Sequence, residues 1–97
     1  MAENPKFKKL LQRMQALHDK KNADYAGANP FSNFEEAAVF AGVDVDTVFR
    51  VLLGVKQARI KELTSSGKTP NFESIADSRF DFLMYCALRE AYNEPLD

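Results

Sequence analysis

Apolar residues return at three- and four-residue intervals along the chain, and no run of more than five residues alternates apolar with polar. That spacing is the period of an α-helix and not of a strand, so the chain is confined to an all-α fold. Asn4-Pro5 reads as an N-cap with proline at the first helical position, and Phe7, Leu10, Leu11, Met14 and Leu17 follow on one face. Asp24, Gly27, Asn29 and Pro30 mark a loop. Ser32-Asn33-Phe34-Glu35 has the form of a capping box, and Gly42 ends the short helix it opens. Asp44 caps a third helix that Gly67 stops, and Asn71 caps a fourth that finishes before Pro95. The spacing predicts helices over about residues 5–22, 33–41, 45–66 and 72–93, in one bundle-like domain spanning the chain. The last two, joined by a short Gly/Pro turn, read as an antiparallel hairpin.

A chain of 97 residues with 45% apolar and 28% charged side chains has an ordinary globular balance. It is neither a disordered tail nor a disulfide scaffold. One modest core is all it can bury, which favours assembly as a homo-oligomer. Thirteen Lys and Arg against 14 Asp and Glu leave a formal charge of -1. No bulk positive field is present to hold duplex nucleic acid or an anionic membrane. Cys86 is the only cysteine, which excludes an internal disulfide, and its apolar surroundings read as core. No apolar run approaches the roughly 20 residues that span a bilayer, and the N-terminus lacks a signal-peptide core. A cytoplasmic protein, of a cell or of a virus within one, is the expectation.

Several charges fall on the apolar side of their helices. With Val45 at zero, Val48, Phe49, Leu52, Val55, Ile60 and Leu63 lie within about 80° of that direction, and Lys56 at about 20° and Arg59 at about 320° lie among them. With Phe72 at zero, Ile75, Ala76, Phe80, Leu83, Met84, Ala87 and Ala91 cluster around roughly 60°; Glu73 at about 100° falls inside that arc, Asp77 on its border and Asp81 beyond it. His18 and Lys21 likewise end the stripe of the first helix. Charges facing a core need partners. One arrangement is an internal ion-pair network of Lys56 and Arg59 with Glu73 and Asp77. The other is a polar cleft between helices or subunits that receives a charged ligand.

Lys56 and Arg59, one turn apart, have the spacing to grip one phosphate, with Lys21 adding charge. Tyr25 and Phe31, beside Asn33, offer a face and an amide to a nucleobase, while Phe31 and Phe34 can equally plug the end of the helices. Glu73, Asp77 and Asp81 follow one another at i, i+4 and can hold Mg²⁺, orient the cations, or accept bonds from a base or sugar. Tyr85 falls on the outer side of its helix, as an interface residue would. His18 reads as structural or as a ligand contact. No phosphate-binding glycine loop and no nucleophile–base motif is present.

The order K-x-x-D-Y (Lys21 to Tyr25), F-x-N-F (Phe31 to Phe34), K-x-x-R (Lys56 to Arg59) and E-S-x-x-D-S-x-x-D (Glu73 to Asp81), with Tyr85 following, resembles small phage-encoded helical proteins associated with nucleotide modification. These are distantly similar to the all-α NTP pyrophosphohydrolases of the MazG and dUTPase type. The resemblance covers about residues 18 to 90 and implies nucleotide chemistry, with the acids of the last helix near a metal or ligand. The pyrophosphohydrolases hold their metals with an E-x-x-E helix facing an E-x-x-D helix. Here Glu35 and Glu36 are adjacent, and Lys56 and Arg59 stand where a hydrolase needs acids. The expectation is therefore a nucleotide binder that sequesters its ligand without cutting it and requires no cofactor. A phage protein of this kind would withdraw a nucleotide signal from host defence. The alternatives are a Mg²⁺-dependent pyrophosphohydrolase using Glu36, Glu73, Asp77 and Asp81, and a purely structural or interaction domain.

Overall fold

Side-chain caps set most of the helix starts. Asn4 Oδ1 accepts the Phe7 N–H at 3.1 Å and opens α1, Pro5–Ala23. Asp44 Oδ1 accepts the Thr47 N–H at 2.8 Å and opens the helix Val45–Ser65. Asn71 Oδ1 accepts the Ser74 N–H at 3.1 Å and opens the helix Phe72–Tyr92. Each bond satisfies one of the donors that a helix start leaves without a partner. Residues 3–23, 29–65 and 71–95 are described by a computed structural model of the chain. Among them there are four helices and no strand: α1, then α2 (Ser32–Ala41), α3 (Val45–Ser65) and α4 (Phe72–Tyr92). The all-α expectation holds, and the described helix ends lie within a residue of those read from the sequence. The expected stop at Gly67 lies outside the described residues.

The start of α2 differs from the expectation. Ser32 is already helical, the cap position is Phe31, and no side chain bonds to the cap. The carbonyl of Phe31 accepts from the N–H groups of both Phe34 and Glu35 at 3.1 Å. The capping box is therefore not formed. Winding begins one residue early because the Phe31 ring is held by packing, 6.3 Å from the Phe34 ring and 5.2 Å edge-on to Tyr92. At the other end Gly42 adopts the left-handed conformation, φ 70°, and its N–H and that of Val43 close onto the last carbonyls of α2. A residue with a Cβ is strained at that φ, so glycine suits the position.

Two compact units divide the chain, Met1–Pro30 and Phe31–Asp97. The first contains α1. Along it Leu10, Met14, Leu17, His18 and Lys21 are half-buried, while Phe7 and Leu11 are exposed.

The second unit contains α2, α3 and α4. Its buried apolar side chains are Phe34, Ala38, Phe49, Ile75, Phe80 and Met84. An aromatic cluster ties its three helices together. Phe34 of α2 stacks on Phe49 of α3 at 4.6 Å, Tyr85 of α4 meets Phe34 edge-on at 6.3 Å, and Tyr92 lies 6.3 Å from Phe49. Such offset and edge-on pairs match the negative face of one ring with the positive edge of the next. The expectation that Phe31 and Phe34 plug an end of the helices matches this placement.

The helices α3 and α4 run antiparallel, as expected. Asp46 near the start of α3 bonds Arg89 near the end of α4, and Lys56, ten residues along α3, pairs with Asp81, eight residues back along α4. The Arg89 fork is bidentate, with Nε to Oδ1 at 2.7 Å and Nη2 to Oδ2 at 3.0 Å. Each partner also suits its helix end, an anion in the first turn of α3 and a cation in the last turn of α4.

The inward face of α4 is not the one the periodicity predicts. Ile75, Phe80 and Met84 are buried as expected, but Ala76, Leu83, Ala87 and Ala91 are exposed. Ser78 is buried instead, and Asp81, Phe82, Tyr85, Leu88, Arg89 and Tyr92 are half-buried. The face is turned by roughly a third of a turn about the helix axis. The aromatic cluster accounts for this, since it draws Tyr85 and Tyr92 inward with their rings against Phe34 and Phe49.

Candidate functional site

The long helix α3 presents Lys56 on the same side as Phe49 and Leu53, facing α4. Turning α4 toward its tyrosines brings Asp81 opposite. Lys56 Nζ and Asp81 Oδ2 are 2.7 Å apart, with side chains 29% and 19% exposed. One turn beyond Asp81, the ring of Tyr85 lies beneath the same ammonium, its centroid 5.5 Å from Nζ. Tyr85 is itself wedged edge-on against Phe34. The cation is thus held between a carboxylate and an aromatic face, on a wall of core side chains. Partial removal from water strengthens both attractions and also costs each ion hydration, so the pair is weak evidence for stability.

These contacts revise the predicted geometry. Asp81, expected beyond the apolar arc, is the half-buried counter-ion. Glu73 and Asp77, expected inside the arc or on its border, are exposed on the first turns of α4. Of the expected network of Lys56 and Arg59 with Glu73 and Asp77, Lys56 is seen paired with Asp81 instead, and Arg59, expected in the stripe, is exposed one turn further along α3. Tyr85, expected on the outside, is part of the site.

Phe31 and Asn33 are half-buried at the start of α2. Lys21 is half-buried on α1, in the other unit, and Tyr25 lies outside the described residues. Glu36 is exposed on α2. Glu73 and Asp77 share α4 with Asp81, and among the described residues no three His, Cys, Asp or Glu side chains converge as a metal-binding group. Cys86 is a free, half-buried thiol.

Sequence reasoning missed the second bridge, Asp46–Arg89. The signal was available: an acid in the first turn of one helix and an arginine in the last turn of its antiparallel neighbour. The hydrogen bond from Arg89 holds the Asp46 carboxyl below its ordinary pKa, and Asp46 in turn raises that of Arg89. Hydrogen bonds from Thr47 lower Asp44 in the same way.

Chemically, Lys56 and Arg59 offer an ammonium and a guanidinium one turn apart, backed by an aromatic ring. That is a donor set suited to an oxyanion. No helix among the described residues is long and apolar enough to cross a membrane. The molecule belongs to the all-α class of protein folds. In comparisons with protein-family models, curated proteins and solved structures, nothing matches the chain.

Proposed function

We propose that this chain binds a phosphorylated small molecule of the nucleotide class along the Lys56–Arg59 edge of α3 and does not hydrolyse it. The observation that carries the reading is the position of Lys56, a half-buried ammonium held in place by Asp81 and Tyr85. A lysine so placed has already lost much of its rotamer freedom, so less is lost when a phosphate binds. Arg59 supplies a second, planar grip. Phe31 and Asn33 are candidates for the base at the Tyr92 end of α4, and Asp77 and Glu73 candidates for the sugar, the base or a cation toward its start; about 28 Å of helix separates Tyr92 from Glu73, so one nucleotide engages one group and not both. On the motif resemblance, the ligand is a nucleotide-derived signal and the protein a phage-type sequestering protein, with copies of the chain sharing the site.

Incubation with a nucleotide panel, with and without Mg²⁺, followed by denaturation and chromatography, tests this directly. Intact ligand is the expected recovery in both conditions; conversion to monophosphate only with Mg²⁺ makes the protein a hydrolase. Arg59→Ala is expected to weaken binding roughly 10- to 100-fold, the value of a charge-assisted hydrogen bond, with helical content unchanged because the side chain is exposed. A structural reading is favoured by the 2.7 Å bridge that already satisfies Lys56. It stands if no nucleotide binds and Lys56→Ala changes only the melting temperature.

A further inference from the structure

The short helix α2 has two apolar sides. Phe34 and Ala38 are buried in the second unit, whereas Val39 and Phe40 point out, 83% and 95% exposed. They line an open hollow with Glu35 and Glu36. A helix of ten residues that carries two acids, no cation and a bare phenylalanine presents an amphipathic surface that the described residues of its own unit leave open. The chain itself carries the complement. Along α1, Lys6, Lys8, Lys9, Arg13, Lys20 and Lys21 stand against a single acid, Asp19. On the same helix Phe7 and Leu11, one turn apart and 57% and 48% exposed, form an apolar ridge with Lys8 beside it.

We propose that α1 of one copy docks on α2 of a second copy, with Phe7 and Leu11 against Val39 and Phe40 and the lysines of α1 facing Glu36. Apolar ridge meets apolar hollow and basic helix meets acidic helix, so burial and charge favour the same pairing. Every copy carries both surfaces. Two copies can therefore exchange them about a two-fold axis, making the same contact twice, or pass them on in a ring. This inference does not rest on the ligand reading.

Sedimentation velocity over a concentration series tests it. The wild-type chain is expected to sediment above the monomer mass, less so as salt screens the charges. Phe40→Glu and Phe7→Glu each remove one surface and are expected to give monomers with unchanged circular dichroism, since both side chains are exposed. Glu36→Lys, which alters charge without removing apolar surface, is expected to weaken association in the same direction. The deciding sample is an equimolar mixture of the Phe7→Glu and Phe40→Glu chains. One intact contact survives between unlike copies, so the mixture is expected to associate where neither variant alone does. A wild-type monomer at every concentration, assembly that survives Phe40→Glu, or a mixture as monomeric as its components overturns the proposal; the last places the cover of α2 somewhere other than α1 of a second copy.

Discussion

Phe49 is 1% exposed and stacks on Phe34, and its ring lies within reach of Tyr92. Truncation to alanine removes a ring that α2, α3 and α4 all close upon. Phe49→Ala is expected to destabilise the protein by about 3–5 kcal/mol, a large part of the roughly 5–15 kcal/mol that holds a domain together. Urea unfolding followed by circular dichroism measures it; a loss below about 1 kcal/mol would mean the cluster does not organise the second unit. At this scale much was legible. Asn4, Asp44 and Asn71 are caps because each needs only a short polar side chain followed by a helical pattern. Ser32 has the same local signature and fails, because the Phe31 ring is held against Tyr92, sixty-one residues away, and no local pattern records that contact.

Helix α4 shows where element-level reading stops. The periodicity counts Ala76, Leu83, Ala87 and Ala91 as core and leaves Tyr85 on the outer side of the helix. The aromatic pairs reverse that ranking, and Asp81 turns inward with the tyrosines. Lys56 was legible as an inward cation from its phase on α3; its partner was not, since the partner depends on the rotation of a different helix. The ends of α3 and α4 carry a pH-dependent tie. Asp46 and Asp44 have folded pKa values below the ordinary 3.8, so the stability they contribute is present above that value and is lost as pH falls through the lowered ones. Thermal melts are therefore expected to show a midpoint that drops steadily on acidification below about pH 4. Asp46→Asn is expected to flatten that acid limb and to lower the midpoint at neutral pH, because the Arg89 fork loses its charged acceptor. An acid limb identical in the two proteins would remove Asp46 from the account.

For the whole molecule, the proposed ligand binding would be linked to folding. A nucleotide at about 100 times its Kd adds about 2.7 kcal/mol to the native state, which for a chain of this length raises the melting temperature by roughly 10–20 °C. The wild-type chain is expected to show that rise with its cognate nucleotide, and Arg59→Ala to lose most of it at the same concentration. An equal rise in both proteins would move the ligand away from α3. The net charge of -1 gives no hint of the proposed anion site, because it sums acids spread along the chain with cations gathered in α1 and at one edge of α3.

Tyr85 and Tyr92 also give the protein a built-in optical signal. The sequence has no tryptophan, three tyrosines and eight phenylalanines, so phenol rings dominate its ultraviolet emission. One of them, Tyr85, lies beneath the Lys56 ammonium and edge-on to Phe34, where a change in the charge above the ring alters its absorption. A phosphate drawn to Lys56 would therefore announce itself as a near-ultraviolet difference spectrum, without any label attached. Unfolding of the cluster would separate Tyr85 from Phe34 and erase its chiral near-ultraviolet signal, so one cuvette follows both occupancy and unfolding.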